Sequence, residues 1–150
     1  MTQAPYEFDP LTSGRFTFTS VGKKKIEKVV DFIPSGTPNI MHLSFGDQLP
    51  DGSIDYIAVS DNGDISRVLA TVVAIVNHFT SSRPEVRIYF EGSTIGRTRL
   101  YKRMLKTYYP IFSKLYMIWG VVKIGDDLES IPFHPSAAII YFGFLIKRID

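Results

Sequence analysis

The sequence predicts an α+β fold, a mainly antiparallel curved sheet in the order ββββα-βα-ββ packed against two helices. Three observations lead there. Apolar and polar residues alternate with a period of two over much of residues 15–60, residues 65–79 step by three and four, and strand-like runs outnumber helical ones. The 150 residues are 45% hydrophobic and 21% charged, which excludes intrinsic disorder and suits one domain with a buried core. Residues 1–14 read as a flexible N-terminal segment and 15–150 as a single α+β domain. The absence of cysteine excludes a disulfide framework, thiolate catalysis and a cysteine zinc site.

In Arg15–Val21, Phe16 and Phe18 share one face and Thr17 and Thr19 the other, the period of a strand. A second strand, about Ile26–Ile33, ends at Pro34-Ser35-Gly36; its alternation is imperfect, because Lys28 falls among Ile26, Val30 and Phe32. A third strand, Ile40–Phe45, sets Met41, Leu43 and Phe45 on one side. After the turn around Pro50-Asp51-Gly52 a fourth, Ile54–Ser60, closes an antiparallel meander. Then Ile65, Val68, Leu69, Val72, Val76 and Phe79 mark an amphipathic helix, Asp64–Ser82, with Asp64 or a neighbour as its N-cap and Arg83-Pro84 as its stop. Val86–Phe90 is a strand. Gly92-Ser93-Thr94 leads into a second helix, Ile95–Tyr109, halted by Pro110, and two strands follow, Tyr116–Lys123 and Ala138–Arg148. The loop between those two strands holds Asp126-Asp127 and Pro132.

Met1–Gly14 has neither the charged nor the apolar region of a secretory signal. The most hydrophobic run, residues 137–146, would cover about 15 Å as a helix, half a hydrocarbon core, and its β-branched and aromatic content suits a buried strand. The expectation is a cytoplasmic protein without a membrane partner.

The formal net charge of +2 names no partner, yet the charges are unevenly placed. Over residues 94–116 they are Arg97, Arg99, Lys102, Arg103, Lys106 and Lys114, with no acid among them; over 47–64 they are Asp47, Asp51, Asp55, Asp61 and Asp64, with no base. Arg99, Lys102, Arg103 and Lys106 lie at i, i+3, i+4 and i+7 and therefore share a helix face, while Tyr101, Met104, Leu105 and Tyr108 share the opposite one. Such a stripe is either a solvated face or an anion-binding face for nucleic acid, a nucleotide or an acidic protein. The missing compensating glutamates favour giving the second reading weight. Ser93, Thr94 and Arg97 at the helix start either cap it or help hold a phosphate there; the spacing is not that of a nucleotide-binding loop.

Asp47, Asp61 and Asp64 admit a metal reading, but Asp and Asn in turns and caps are expected for structural reasons, and no EF-hand pattern is present. His42, His78 and His134 are scattered without metal spacing, and neither a nucleophile elbow nor a glutamate pair appears. No catalytic residue, metal or cofactor is expected. Near the C-terminus Ile139 and Tyr141 alternate with Ile140 and Phe142, so one aromatic face there either joins the core or faces solvent as a base-stacking surface.

The ordered motifs Leu43-Ser-Phe-Gly-Asp47, Val59-Ser-Asp-Asn-Gly-Asp64, Val68-Leu-Ala-Thr-Val72, Gly92-Ser-Thr94, Arg97-Thr-Arg-Leu-Tyr101 and Phe144-Leu-Ile-Lys-Arg148 resemble an uncharacterised bacterial family of single-domain proteins, frequent in Bacteroidetes. The resemblance runs from about Phe16 to Arg148. It implies a small bacterial cytoplasmic protein, carries no established activity, and emphasises Asn62-Gly63-Asp64, Gly92-Ser93-Thr94, Arg97, Arg99 and Tyr101. Asp61 stands where related sequences often carry asparagine. In topology alone, four strands followed by a helix are similar to the ββββα units of Whirly and purine-rich-element-binding proteins, which bind single-stranded nucleic acid.

The leading expectation is a non-enzymatic binding module whose basic helix face meets an anionic partner such as nucleic acid, through Ser93, Thr94, Arg97, Arg99, Lys102, Arg103 and Lys106. The alternatives are a protein-interaction component (toxin–antitoxin or defence-associated, or a homodimer pairing the basic helix with the acidic stretch) and a small enzyme acting on a phosphorylated substrate.

Overall fold

The computed structural model describes residues 4–56, 62–92 and 94–149. Among them are nine strands and three helices with mixed, mostly antiparallel pairing, an α+β architecture. Its contacts divide the chain into two units, Met1–Ile33 with Leu43–Ser82, and Pro34–His42 with Arg83–Asp150.

In the first unit β1 (Asp9–Pro10), β2 (Arg15–Val21), β3 (Lys25–Pro34), β4 (Ile40–Gln48, from Leu43 onward) and β5 (Ile54–Asp55) are neighbours in that order. The period-two reading of β2 holds, with Phe16 and Phe18 buried. Opposite them in register stand Val30 and Lys28. The helix α1 (Ile65–Ser81) covers this face: Phe79 stacks on Phe32 with ring centroids 3.9 Å apart and meets Phe16 edge-on. Such apolar burial is the main source of the unit's stability. Of the predicted fourth strand, Ile54 and Asp55 pair with β4, and residues 57–60 lie outside the described residues. Residues 4–14 are held at Tyr6, whose amide donates to Thr71 Oγ1 at 2.8 Å and whose ring lies under the Arg67 guanidinium.

In the second unit the order is β4 (residues 40–42), β6 (Arg87–Phe90), β9 (Gly143–Arg148), β7 (Tyr116–Ile124) and β8 (Asp127–Pro132). The pair β4–β6 is parallel, and β6–β9, β9–β7 and β7–β8 are antiparallel. Two helices pack here, α2 (Ile95–Thr107) and α3 (Tyr109–Leu115). Tyr101, Met104, Leu105 and Tyr108 are buried, as the helical spacing requires, and Phe112 of α3 joins them.

Three sequence expectations need correction in this unit. Pro110 does not halt the chain's helical course; it sits in the first turn of α3, where its missing N–H and fixed φ cost nothing. The supposed loop holding Asp126-Asp127 and Pro132 is a hairpin, in which Gly125 takes a positive φ of 63° and Ile124 pairs with Asp127. Finally, β9 begins at Gly143, not Ala138. The carbonyls of Ala137 and Ile139 face a lysine instead of a neighbouring strand.

Candidate anion-binding site

Strand β6 delivers the chain to α2 through Gly92, which must be glycine, since a Cβ there would sit 2.2 Å from the Thr98 amide nitrogen. Thr98 Oγ1 accepts from the Gly92 amide at 2.9 Å and donates to the Thr94 carbonyl at 3.2 Å. Thr94 is the N-cap, its hydroxyl oxygen accepting from the Arg97 amide at 3.1 Å. These contacts engage the Gly92 and Arg97 amides, two donors that a phosphate would otherwise use. Ser93 lies outside the described residues.

The six cations of residues 94–116 have different roles. Arg97 is half-buried beside Tyr101: burial pushes the Tyr101 phenol above its ordinary value, and the Arg97 guanidinium works against that shift through its charge and a hydrogen bond. Lys102 is half-buried too. Its Nζ donates to the carbonyls of Ile139 at 3.0 Å and Ala137 at 3.3 Å and lies 5.4 Å from the Tyr141 ring centroid. Arg99, Arg103 and Lys106 are exposed, and no salt bridge engages them among the described residues. Lys114, on α3, is exposed as well. The face thus offers three water-facing cations on about two turns of helix, with Lys102 bound down in their midst. The spacing of the four residues was legible in sequence. The diversion of Lys102 to backbone carbonyls was not, because its acceptors are 35 and 37 residues away.

The chain belongs to a family of unknown function, DUF6934. The family model matches residues 2–149, so it runs through both units. No curated protein and no solved structure matches the chain.

The Asn62-Gly63-Asp64 turn has a structural account. Asn62 Nδ2 donates to Ser20 Oγ and to the Lys24 carbonyl, and its Oδ1 accepts from the Lys24 amide. Gly63 takes a φ of 85°, where a side chain would be strained. Asp64 holds the N-cap position of α1, yet its carboxylate makes no capping bond; it accepts from Tyr6 Oη at 2.6 Å and Ser20 Oγ at 2.5 Å instead. Asp64 is thus the expected N-cap by position, without a side-chain bond to the helix.

The acidic stretch is likewise occupied. Asp47 pairs with Lys28 at 2.5 Å, Asp51 accepts from the amide and hydroxyl of Ser53, and Asp64 is bound as described. The carboxyl of Asp51 is held below its ordinary value, chiefly by the Ser53 hydroxyl. Among the described residues no group of three His, Cys, Asp or Glu gathers as for a metal ion, and Asp61 lies outside them. His42 and His134 are exposed, and His78 lies edge-on to Phe8 and Phe16.

Sequence reasoning missed two polar clusters. One is the pair Lys28–Asp47, 4% and 7% exposed, with Lys28 Nζ 5.5 Å from the Phe45 ring centroid. The other is Asp31, gripped by Arg15 through two bonds of 2.6 and 3.0 Å and by Tyr56 Oη at 2.9 Å. The signal for the first was present: a lysine interrupting the apolar face of a strand needs a buried partner.

Proposed function

We propose that this protein is a non-enzymatic binding module whose α2 face holds an anionic polymer, with nucleic acid as the partner its chemistry fits. The observation that supports it most is the line of Arg99, Arg103 and Lys106, exposed and unneutralised on one side of a helix without an acidic residue. Like charges at this spacing repel and cost helix stability, and bound phosphates remove that cost. Arg97 and Lys102 support the face from within, one against Tyr101 and the other against residues 137–139.

The closed cap at Thr94 speaks against an enzyme gripping a phosphorylated substrate at the helix start. The engagement of Asp47, Asp51 and Asp64 within their own unit speaks against a homodimer built on the acidic stretch, or a partner drawn to it.

The test is fluorescence anisotropy with a labelled oligonucleotide at rising salt. Three phosphate contacts to a single strand give a log–log slope of about −2. Replacing Arg103→Glu and Lys106→Glu together is expected to abolish binding while leaving the circular dichroism spectrum unchanged. Binding that survives the double substitution, or that ignores salt, rejects this function.

A further inference from the structure

We infer that residues 137–142 form a base-stacking element that makes the α2 face selective for single-stranded nucleic acid. The inference rests on the reading of that face as phosphate-binding. It starts from the alternation of Ile139 and Tyr141 with Ile140 and Phe142. Tyr141 is buried, its ring lying so close over Gly120 that a Cβ there would be 2.0 Å from it. Its neighbours must therefore turn the other way, and Ile140 is 92% and Phe142 46% exposed. Lys102 holds this segment by two backbone carbonyls and by the Tyr141 ring. On α2, Lys102 stands one turn from both Arg99 and Lys106, so the tether fastens the segment at the flank of the cationic line. Ile95, 74% exposed, lies four residues before Arg99 and continues that line.

Cations alone hold the backbone of any nucleic acid. Exposed apolar side chains beside them add nothing to a duplex, whose base faces are already stacked, but they reward unpaired bases. A half-exposed phenyl ring on a segment fastened to the cationic helix is suited to this, since every base has a π-face. Cations beside exposed isoleucines also suit an anionic bilayer. Here, however, the apolar face of α2 is already buried through Tyr101, Met104 and Leu105, so no amphipathic helix is free to lie in a headgroup layer.

The experiment measures the intact protein, by anisotropy at low salt, against labelled oligo-dT, an abasic strand of equal length and a duplex. Oligo-dT is expected to bind more tightly than the duplex. Phe142→Ala, at an exposed position, is expected to weaken oligo-dT binding by roughly 5- to 100-fold, the range for loss of one base stacked on an aromatic ring, and Ile140→Ser, also exposed, by a smaller factor. Binding to the abasic strand and the salt slope should not change. If oligo-dT binding depends on Arg103 and Lys106 but ignores Phe142 and Ile140, or if the duplex binds equally well, this inference alone is overturned. Binding to phosphatidylserine vesicles that requires Phe142, with none to oligo-dT, overturns it in favour of a membrane surface. No binding to any strand overturns the phosphate-face reading and this inference together.

Discussion

Removing one member of the Lys28–Asp47 pair takes from the other the opposite charge it faces inside the first unit. Lys28 projects from β3 on the face that carries Val30 and Phe32, beside the Phe45 ring, and Asp47 follows Phe45 two residues later on β4. With exposures of 4% and 7%, water has little access to either. Breaking such a pair costs about 3–5 kcal/mol, whereas replacing both members by apolar groups of similar volume is neutral or stabilising. Asp47→Leu and Lys28→Met are therefore each expected to lower Tm by roughly 6–20 °C, at about 2–4 °C per kcal/mol for a chain of this size. The double replacement Lys28→Met with Asp47→Leu is expected to recover most of the loss. Thermal and urea unfolding of the four proteins gives the coupling energy directly. If the single losses stay below about 1 kcal/mol, or the double variant loses their sum, the pair is not the buried, mutually dependent unit described here.

Stability is also expected to fall at alkaline pH. Burial is the largest influence raising the phenols of Tyr6, Tyr56, Tyr89, Tyr101 and Tyr108 above 10.0, and the carboxylates of Asp64, Asp31 and Glu91 add to it at the first three. The folded state thus keeps protons that the unfolded chain releases, so stability is full below about pH 10 and declines as pH climbs through the folded values. A urea midpoint that stays level well above pH 10 contradicts this. Asn62→Ala strips the Lys24 amide of its partner and leaves the Lys24 carbonyl only the Gly22 amide, and should cost about 1–3 kcal/mol in urea unfolding; a loss near zero would show the clamp to be dispensable. Gly120→Ala drives a methyl into the Tyr141 ring and should cost roughly 1–3 kcal/mol, and oligo-dT affinity should fall with it as residues 137–142 shift; unchanged near-UV circular dichroism would refute the close packing.

Elements whose side chains obey one period over many residues were readable in advance. The helix expected over Asp64–Ser82 is α1 (Ile65–Ser81), and β2 keeps its expected bounds. What went unread were features set by a few atoms at a distance. A proline marks a helix stop or a helix start according to what precedes it, and Pro110 starts α3. Residues 138–142 have strand composition but no strand, because Lys102 takes carbonyls on one side and Tyr141 fills the space over Gly120 on the other. The hairpin of β7 and β8 was obscured by Asp126, Asp127 and Pro132, residues at home in loops, and depends on Gly125 turning at positive φ.

For the candidate site the division is similar. The sequence by itself determined that Arg99, Lys102, Arg103 and Lys106 share a face, since helical spacing is a local property, and that no acid of α2 neutralises them. Only the tertiary structure decided how the stripe is used: Lys102 serves as a tether, Arg97 attends Tyr101, and Thr94 caps its own helix. Each depends on which carbonyl, ring or amide the fold brings within about 3–6 Å, and that proximity is a property of packing that no local pattern encodes.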